Sequence, residues 1–331
     1  MLLVTGGAGY IGSHFIKSYL SRSDAKLVVV DNFIEGHRRA LNSLGDDLIK
    51  RMHLVEADIA DELTMVETLE RFNIGSVVHF AGSCYVGDSE ADPSRYFDNN
   101  VASSLKLFKV MDALGVTKIV FSSSCATYGD PQYVPLDEKH PQKPVSVYGL
   151  TKYMIELALQ SYGRTKGWST ACLRYFNAAG ADESGIIGES HNPETHLIPR
   201  VLKAATGDLE YLEVFGDDYD TEDGTCIRDY VHVNDLAYAH CLALDMLDSK
   251  VCTEAINLGT AGGASVKQVI EASKAVTGRD IKVKYSQRRP GDVAKLVANC
   301  QKAKDLLGWQ PKYDLLRTIE TAWHWEQNRK Y

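Results

Sequence analysis

Leu2-Leu3-Val4-Thr5-Gly6-Gly7-Ala8-Gly9-Tyr10-Ile11-Gly12 is the stretch that decides the fold of this chain. Its first residues make an apolar strand. The glycines then turn into a helix with Ile11, Phe15, Ile16, Tyr19 and Leu20 on one face. A strand, a glycine turn and a helix in that order form a phosphate cradle. Glycine serves where the backbone takes φ > 0 or approaches a pyrophosphate closely, and the helix N-terminus offers free N–H groups and partial positive charge. Gly6, Gly9, Tyr10, Ile11 and Gly12 are therefore candidates for holding a dinucleotide. Similar turns also join strands to helices with no ligand. A second apolar strand at 27–30 ends in Asp31, about 20 residues on, where a carboxylate can take both hydroxyls of an adenosine ribose. That carboxylate would repel a 2′-phosphate, and no Arg follows it directly, so NAD is expected rather than NADP.

With 331 residues, the chain is long enough for a large core and two lobes. Hydrophobic content of 44% and charged content of 24% are those of an ordinary globular protein. The net charge of −8 argues against nucleic acid or a membrane surface as partner. No apolar run approaches the ~20 residues of a membrane span, and the first strand starts too early to leave room for a secretory leader. The seven cysteines are scattered with no C-x-x-C pair. Reduced thiols in a cytoplasmic protein are expected, with neither a disulfide framework nor a metal site.

Further strands are expected at 52–57, 76–80, 118–122 and 171–175, with helices at 61–72, 94–114 and 147–166 between them. Near-continuous β-branched runs separated by helices imply an α/β fold, a doubly wound parallel (Rossmann) sheet covered on both faces. In such a sheet ligands bind at the C-terminal strand ends. Asp58, Ala81-Gly82, Ser122 to Ser124 and Asn177 fall at those ends. After about 178 the segments become polar and loop-rich. The expected division is a dinucleotide-binding domain at 1–177, rejoined by 230–258, with 178–229 and 259–331 forming a smaller α/β substrate-binding lobe.

Tyr148 and Lys152 stand at i and i+4, on one face of the helix at 147–166. A free phenol, with a pKa of ~10, is a poor base at neutral pH. A neighbouring ammonium and a positively charged nicotinamide both favour the phenolate. A phenolate so placed can take the proton from an alcohol while hydride leaves the same carbon. Such pairs are common on helix surfaces. The catalytic reading rests on Ser122-Ser123-Ser124 just upstream and on the nucleotide cradle.

With these residues in view, the chain resembles the extended short-chain dehydrogenase/reductase family, and within it the sugar-nucleotide 4-epimerases. The matching segments are GGAGYIGSH at 6–14, DN at 31–32, DI at 58–59, HFAG at 79–82, NN at 99–100, SSSCATYG at 122–129 and YGLTK at 148–152. They continue with RYFNAAG at 174–180, HNPETHLIPRV at 191–201, FGDDYDTEDGTCIRDYVHV at 215–233 and RRPGD at 288–292. The resemblance implies that Tyr148 is the base, Lys152 its partner and ribose anchor, and Ser124 the proton bridge. It implies that Asp31, Asn32, Asp58, Ile59, Phe80, Ala81, Gly82, Asn99, Ser122, Tyr148, Lys152 and Tyr175 line NAD. It implies that Ser124, Tyr148, Asn177, His196, Leu197, Phe215, Arg228, Arg289, Asp292 and Leu296 line a UDP-sugar. Arg228 and Arg289 suit a diphosphate by their forked geometry.

The implied reaction interconverts UDP-glucose and UDP-galactose through a 4-keto intermediate, with hydride leaving C4 and returning to its other face. The alternatives are UDP-GlcNAc/UDP-GalNAc or UDP-xylose/UDP-arabinose as the sugar pair, and a non-catalytic NAD-sensing regulator, against which Tyr148 and Lys152 both stand. Dehydratases and decarboxylases of this fold need an acid beside the serine. Cys125-Ala126-Thr127 supplies none. The sequence departs from the epimerase pattern at Cys84, where a Lys near the nicotinamide ribose is usual. Leu296 is intermediate in size at the position bordering the sugar 2-substituent. A homodimer, packed through the helices at 94–114 and 147–166, is also implied.

Overall fold

The computed structural model describes residues 1–289 and 291–331, so Pro290 of the RRPGD segment lies outside the described residues. Seven strands form the central sheet: β1 (Leu2–Thr5), β2 (Leu27–Asp31), β3 (Met52–Glu56), β4 (Ser76–His79), β5 (Lys118–Ser124), β6 (Ser169–Tyr175) and β7 (Thr253–Leu258). Their order is β7-β6-β5-β4-β1-β2-β3, and every neighbouring pair is parallel. The chain runs outward from β1 in one direction and then, from β4, in the other. The order therefore reverses beside β1, where a crevice opens at the strand ends.

The apolar runs that announce these strands are buried on both faces. Leu3, Val28, Val77 and Ile119 join one core with Phe108 of helix Ser103–Ala113 and Leu159 of helix Val147–Lys166. Their neighbours Val4, Val29, Val78 and Val120 face the other way, against Phe15 and Ile16 of helix Tyr10–Ser21 and Leu236 of helix Val233–Ser249. This is the period-two alternation of a strand with an apolar layer on each side. Each such side chain contributes about 1.5–3 kcal/mol relative to exposure.

A separate apolar cluster lies beyond the sheet, built from Ile198, Val201, Leu212, Val214, Val269, Ile270 and Ile319. It joins helices Leu197–Thr206, Val266–Thr277 and Leu315–Asn328 to the parallel strand pair Leu212–Phe215 and Val283–Ser286. Strand Ile227–Arg228 pairs with Ala264–Ser265 on one side and Lys295–Leu296 on the other, which brings Arg228 and Leu296 into register.

The single helix expected at 94–114 is not continuous. A short helix at Pro93–Tyr96 passes into a π-helical turn at Phe97–Ala102 before Ser103–Ala113. The wide turn coincides with Asn99 and Asn100. Asn100 accepts from Ser83 N at 2.8 Å and donates to Ser83 O at 3.0 Å and Thr151 Oγ1 at 3.1 Å. Hydrogen bonds to the loop after β4 and to the neighbouring helix thus accompany the widened turn, in keeping with the location of such bulges at functional sites.

Candidate active site

A cavity of about 460 Å³ opens at the C-terminal ends of the strands. Its floor on the β1 side is the glycine turn. Gly6 has φ +68°, and a Cβ there would lie 2.5 Å from Ala81 N; a Cβ on Gly12 would lie 2.4 Å from Gly6 O. Only glycine allows β1, the helix start and the loop after β4 to meet this closely, and the cradle fits a pyrophosphate. Asp31, at the end of β2, accepts from Ala8 N and Phe33 N, both at 2.8 Å. Burial raises its carboxyl above the ordinary value, and the two backbone bonds oppose that rise. Asn32 donates to Asp58 Oδ2 at 3.0 Å, tying the ends of β2 and β3 together. Gly6, Gly9, Tyr10, Ile11, Gly12, Asp31, Asn32, Asp58 and Ile59 all line the cavity, as do Phe80, Ala81, Gly82, Asn99, Ser122 and Tyr175.

The middle of the cavity is formed by β5 and helix Val147–Lys166. Ser146 caps the helix, its Oγ accepting from Gly149 N at 3.1 Å. Gly149 lets the helix press against the segment after β5, since a Cβ would lie 2.4 Å from Ala126 O. Tyr148 N donates to Ser89 Oγ at 3.0 Å. Lys152, one turn on, donates from Nζ to Ser122 O at 3.0 Å, with Nζ 5.8 Å from the centre of the Tyr148 ring. Ser122 Oγ and Tyr175 OH lie 2.7 Å apart. Tyr148, Lys152 and Ser124 thus face one space.

The electrostatics correct one expectation. Burial pushes the Tyr148 phenol well above 10, Tyr175 and Cys84 add to the rise, and contact with the Ser124 hydroxyl opposes it. Burial thus outweighs any lowering by Lys152 while no nicotinamide charge is beside the phenol. Burial also disfavours the Lys152 ammonium and brings it down to about 8. A phenol in this setting ionises only when further positive charge is brought beside it. The Cys84 thiol is pushed up to about 12, first by burial and then by Glu35, so it stays neutral.

On the far side Asn177, His196, Arg228 and Leu296 line the same cavity, whereas Leu197, Phe215, Arg289 and Asp292 do not. Leu197 packs against the apolar cluster around Ile198. The other three connect to the cavity through Arg228. The Arg289 guanidinium lies 4.4 Å from the centre of the Phe215 ring, Arg289 Nε is 3.3 Å from Asp292 Oδ2, and Asp292 Oδ1 is 3.2 Å from Arg228 Nη2. Arg228 Nη1 donates to Ile227 O and Val293 O at 3.0 and 2.8 Å, so much of its fork is spent within the protein.

Sequence reasoning missed Glu35, Ser83, Glu189, Ser190, His191 and Tyr331, which also line the cavity. Glu189, His191, Glu194 and His196 bring one nitrogen or oxygen each to within 4.8 Å of one another. Their close spacing in the ESHNPETH segment was the available signal. His196 Nδ1 lies 2.9 Å from Glu189 Oε1 and 3.0 Å from Glu194 Oε1. Those are hydrogen-bond lengths; donors sharing a tetrahedral zinc would stand about 3.4 Å apart. Glu189, Glu194 and His196 read as a proton-bridged network.

The fold and site define a dinucleotide-dependent enzyme of the short-chain dehydrogenase/reductase class. Residues 3–322 match the family described as GDP-mannose 4,6 dehydratase. The chain is 47% identical to the UDP-glucose 4-epimerase of Rhizobium meliloti, over 99% of this chain and 97% of the relative. It is similar to the crystal structure of UDP-glucose 4-epimerase from Brucella ovis in complex with NAD, with 44% identity, a TM-score of 0.92 and 98% of each chain covered. The enzyme from Bifidobacterium longum in complex with NAD+ and UDP superposes with a TM-score of 0.94 at 38% identity, covering 99% of this chain and 98% of that one. The chain belongs to the UDP-glucose 4-epimerase family, whose members use NAD.

Proposed function

We propose that this chain interconverts UDP-glucose and UDP-galactose by inverting C4 of the sugar. The observation that carries the reading is the convergence of Tyr148, Lys152 and Ser124 on one cavity with the Gly6–Gly12 cradle. When bound, NAD supplies the acceptor for the C4 hydride and its source on return. Tyr148 takes the 4-hydroxyl proton, with Ser124 as the bridge, and gives it back when hydride returns to the opposite face. Lys152, held by Ser122 O, supplies positive charge near the phenol and anchors the ribose. Arg228 and His196 take the diphosphate. Cys125, Ala126, Phe176 and Leu296 give the sugar region few polar contacts, which suits a 4-ketose that must turn over between the two half-reactions.

Epimerisation is favoured over elimination. Among the described residues the carboxylates lining the cavity are Asp31, Glu35, Asp58 and Glu189, and Ser124 is followed by Cys125 and Ala126. No acid stands beside the serine to move a proton at C5. A homodimer accounts for Leu105 on one helix and Leu150, Met154 and Leu157 on the next, all large and exposed. The seven free cysteines suit a reducing, cytoplasmic setting. Among the described residues no helix is long and apolar enough to cross a membrane.

Incubation with UDP-galactose deuterated at C4 tests the chemistry. Direct hydride return keeps the deuterium at C4 of the UDP-glucose formed. Replacement by solvent hydrogen would exclude the proposed cycle.

A further inference from the structure

The loop after β2 is fastened at three separate places. His37 N donates to Ala8 O in the glycine turn at 3.0 Å. The ring nitrogen His37 Nε2 lies 2.8 Å from Ser190 O, in the segment that leads to His196. Between these, Glu35 Oε1 accepts from Ser83 Oγ, in the loop after β4, at 2.7 Å. The loop sits tightly on the cradle: a Cβ on Gly36 would lie 2.9 Å from Ala8 Cβ.

The third contact spans the cofactor groove. In the sheet, β1 lies between β4 and β2, and the glycine cradle follows β1. A hydrogen bond from the loop after β2 to the loop after β4 must therefore pass over the cradle. Glu35 and Ser83 both line the cavity. Ser83 is itself held from beneath: its N donates to Asn100 Oδ1 at 2.8 Å, its O accepts from Asn100 Nδ2 at 3.0 Å, and its Oγ accepts from Asn99 Nδ2 at 3.2 Å. The π-helical turn at Phe97–Ala102 carries both asparagines. Arg95 Nη2, 3.4 Å from Glu35 Oε1, offsets the negative charge that Glu35 brings near a pyrophosphate.

We propose that the Glu35–Ser83 hydrogen bond is a latch that closes the groove over the pyrophosphate of bound NAD and slows its release. The proposal rests on the NAD-dependent reading of the site. It gives the cofactor groove a fastening independent of Cys84. The latch works through the hydrogen bond, so a neutral acceptor at position 35 keeps it in weakened form.

The test is the rate at which NAD leaves the purified holoprotein, followed by dilution into excess unlabelled NAD after loading with radiolabelled NAD. Loss of a hydrogen bond to a charged acceptor corresponds to roughly tenfold or more in rate. Glu35→Ala and Ser83→Ala are expected to release NAD at least about tenfold faster than the unaltered protein, and Glu35→Gln to stay within about threefold of it. Unfolding midpoints of the NAD-free proteins are expected to shift by no more than about 4 °C, which separates a latch from a contact the fold depends on. Glu35 is half-buried on a loop, whereas Ser83 is buried, so Glu35→Ala serves should Ser83→Ala fail to fold. Release from Glu35→Ala at the unaltered rate would overturn the latch. An unaltered protein that binds no NAD would overturn the cofactor reading beneath it.

Discussion

Glu189 Oε1 lies 2.9 Å from His196 Nδ1, and both residues line the cavity. Burial disfavours a charged His196, but the Glu189 charge and the hydrogen bonds that the ring donates to Glu189 and Glu194 outweigh it and bring the ring to about 10. Burial likewise disfavours a charged Glu189, and the His196 charge leads the interactions that hold it below its ordinary value. Because the folded-state value for His196 is raised, its contribution to stability is complete below about pH 6.5 and is lost as pH rises through about 10. His196→Asn should therefore flatten the decline in unfolding temperature between about pH 6.5 and 9.5. Equal declines in the two proteins would contradict the pairing.

In the proposed cycle Tyr148 takes the substrate proton in the first half-reaction and holds it until the second. Tyr148→Phe keeps the ring that packs near Lys152 and removes the hydroxyl. It should lower kcat by about 10²–10⁴-fold with little change in KM and unchanged NAD content. A variant that kept kcat but raised KM would assign the hydroxyl to binding instead.

Arg228 shares Asp292 with Arg289, so its free donors toward a diphosphate are few and each matters. Arg228→Ala should raise KM for the UDP-sugar by about 10- to 100-fold, the range of a charge-assisted hydrogen bond, and leave bound NAD unchanged. Steady-state kinetics with a parallel measurement of bound nucleotide checks both halves.

Leu296 lines the cavity and packs half-buried beside the cluster that holds Cys125 and Phe176. Leu296→Tyr adds a ring on that side. It should depress kcat/KM for UDP-N-acetylglucosamine more than for UDP-galactose, by about tenfold or more, because overfilling a packed site costs about 1–3 kcal/mol. Equal effects on both substrates would remove Leu296 from the 2-substituent contact.

The parts of this molecule that were legible in its sequence are those governed by local rules. The strand and glycine turn from Leu2 to Gly12 carry their backbone requirement in the residue types. Tyr148 and Lys152 fall on one face because the helix between Ser146 and Gly167 is bounded by its own cap and left-handed terminus. What escaped depends on partners far apart in the chain. Ser83 meets Glu35 across 48 residues, and Phe215 meets Arg289 through the pairing of strand Leu212–Phe215 with Val283–Ser286. The π-helical turn at Phe97–Ala102 escaped for the same reason: its apolar spacing reads as an ordinary helix, and its hydrogen bonds to Ser83 and Thr151 come from tertiary structure. The rise in the Tyr148 pKa is a burial effect, which residue spacing cannot express.

The central claim is C4 epimerisation by a cofactor that stays bound, and proton NMR of UDP-galactose incubated with the purified protein tests it most directly. The account predicts that anomeric and H4 signals of UDP-glucose grow in without added NAD. No conversion, with or without added NAD, would contradict it.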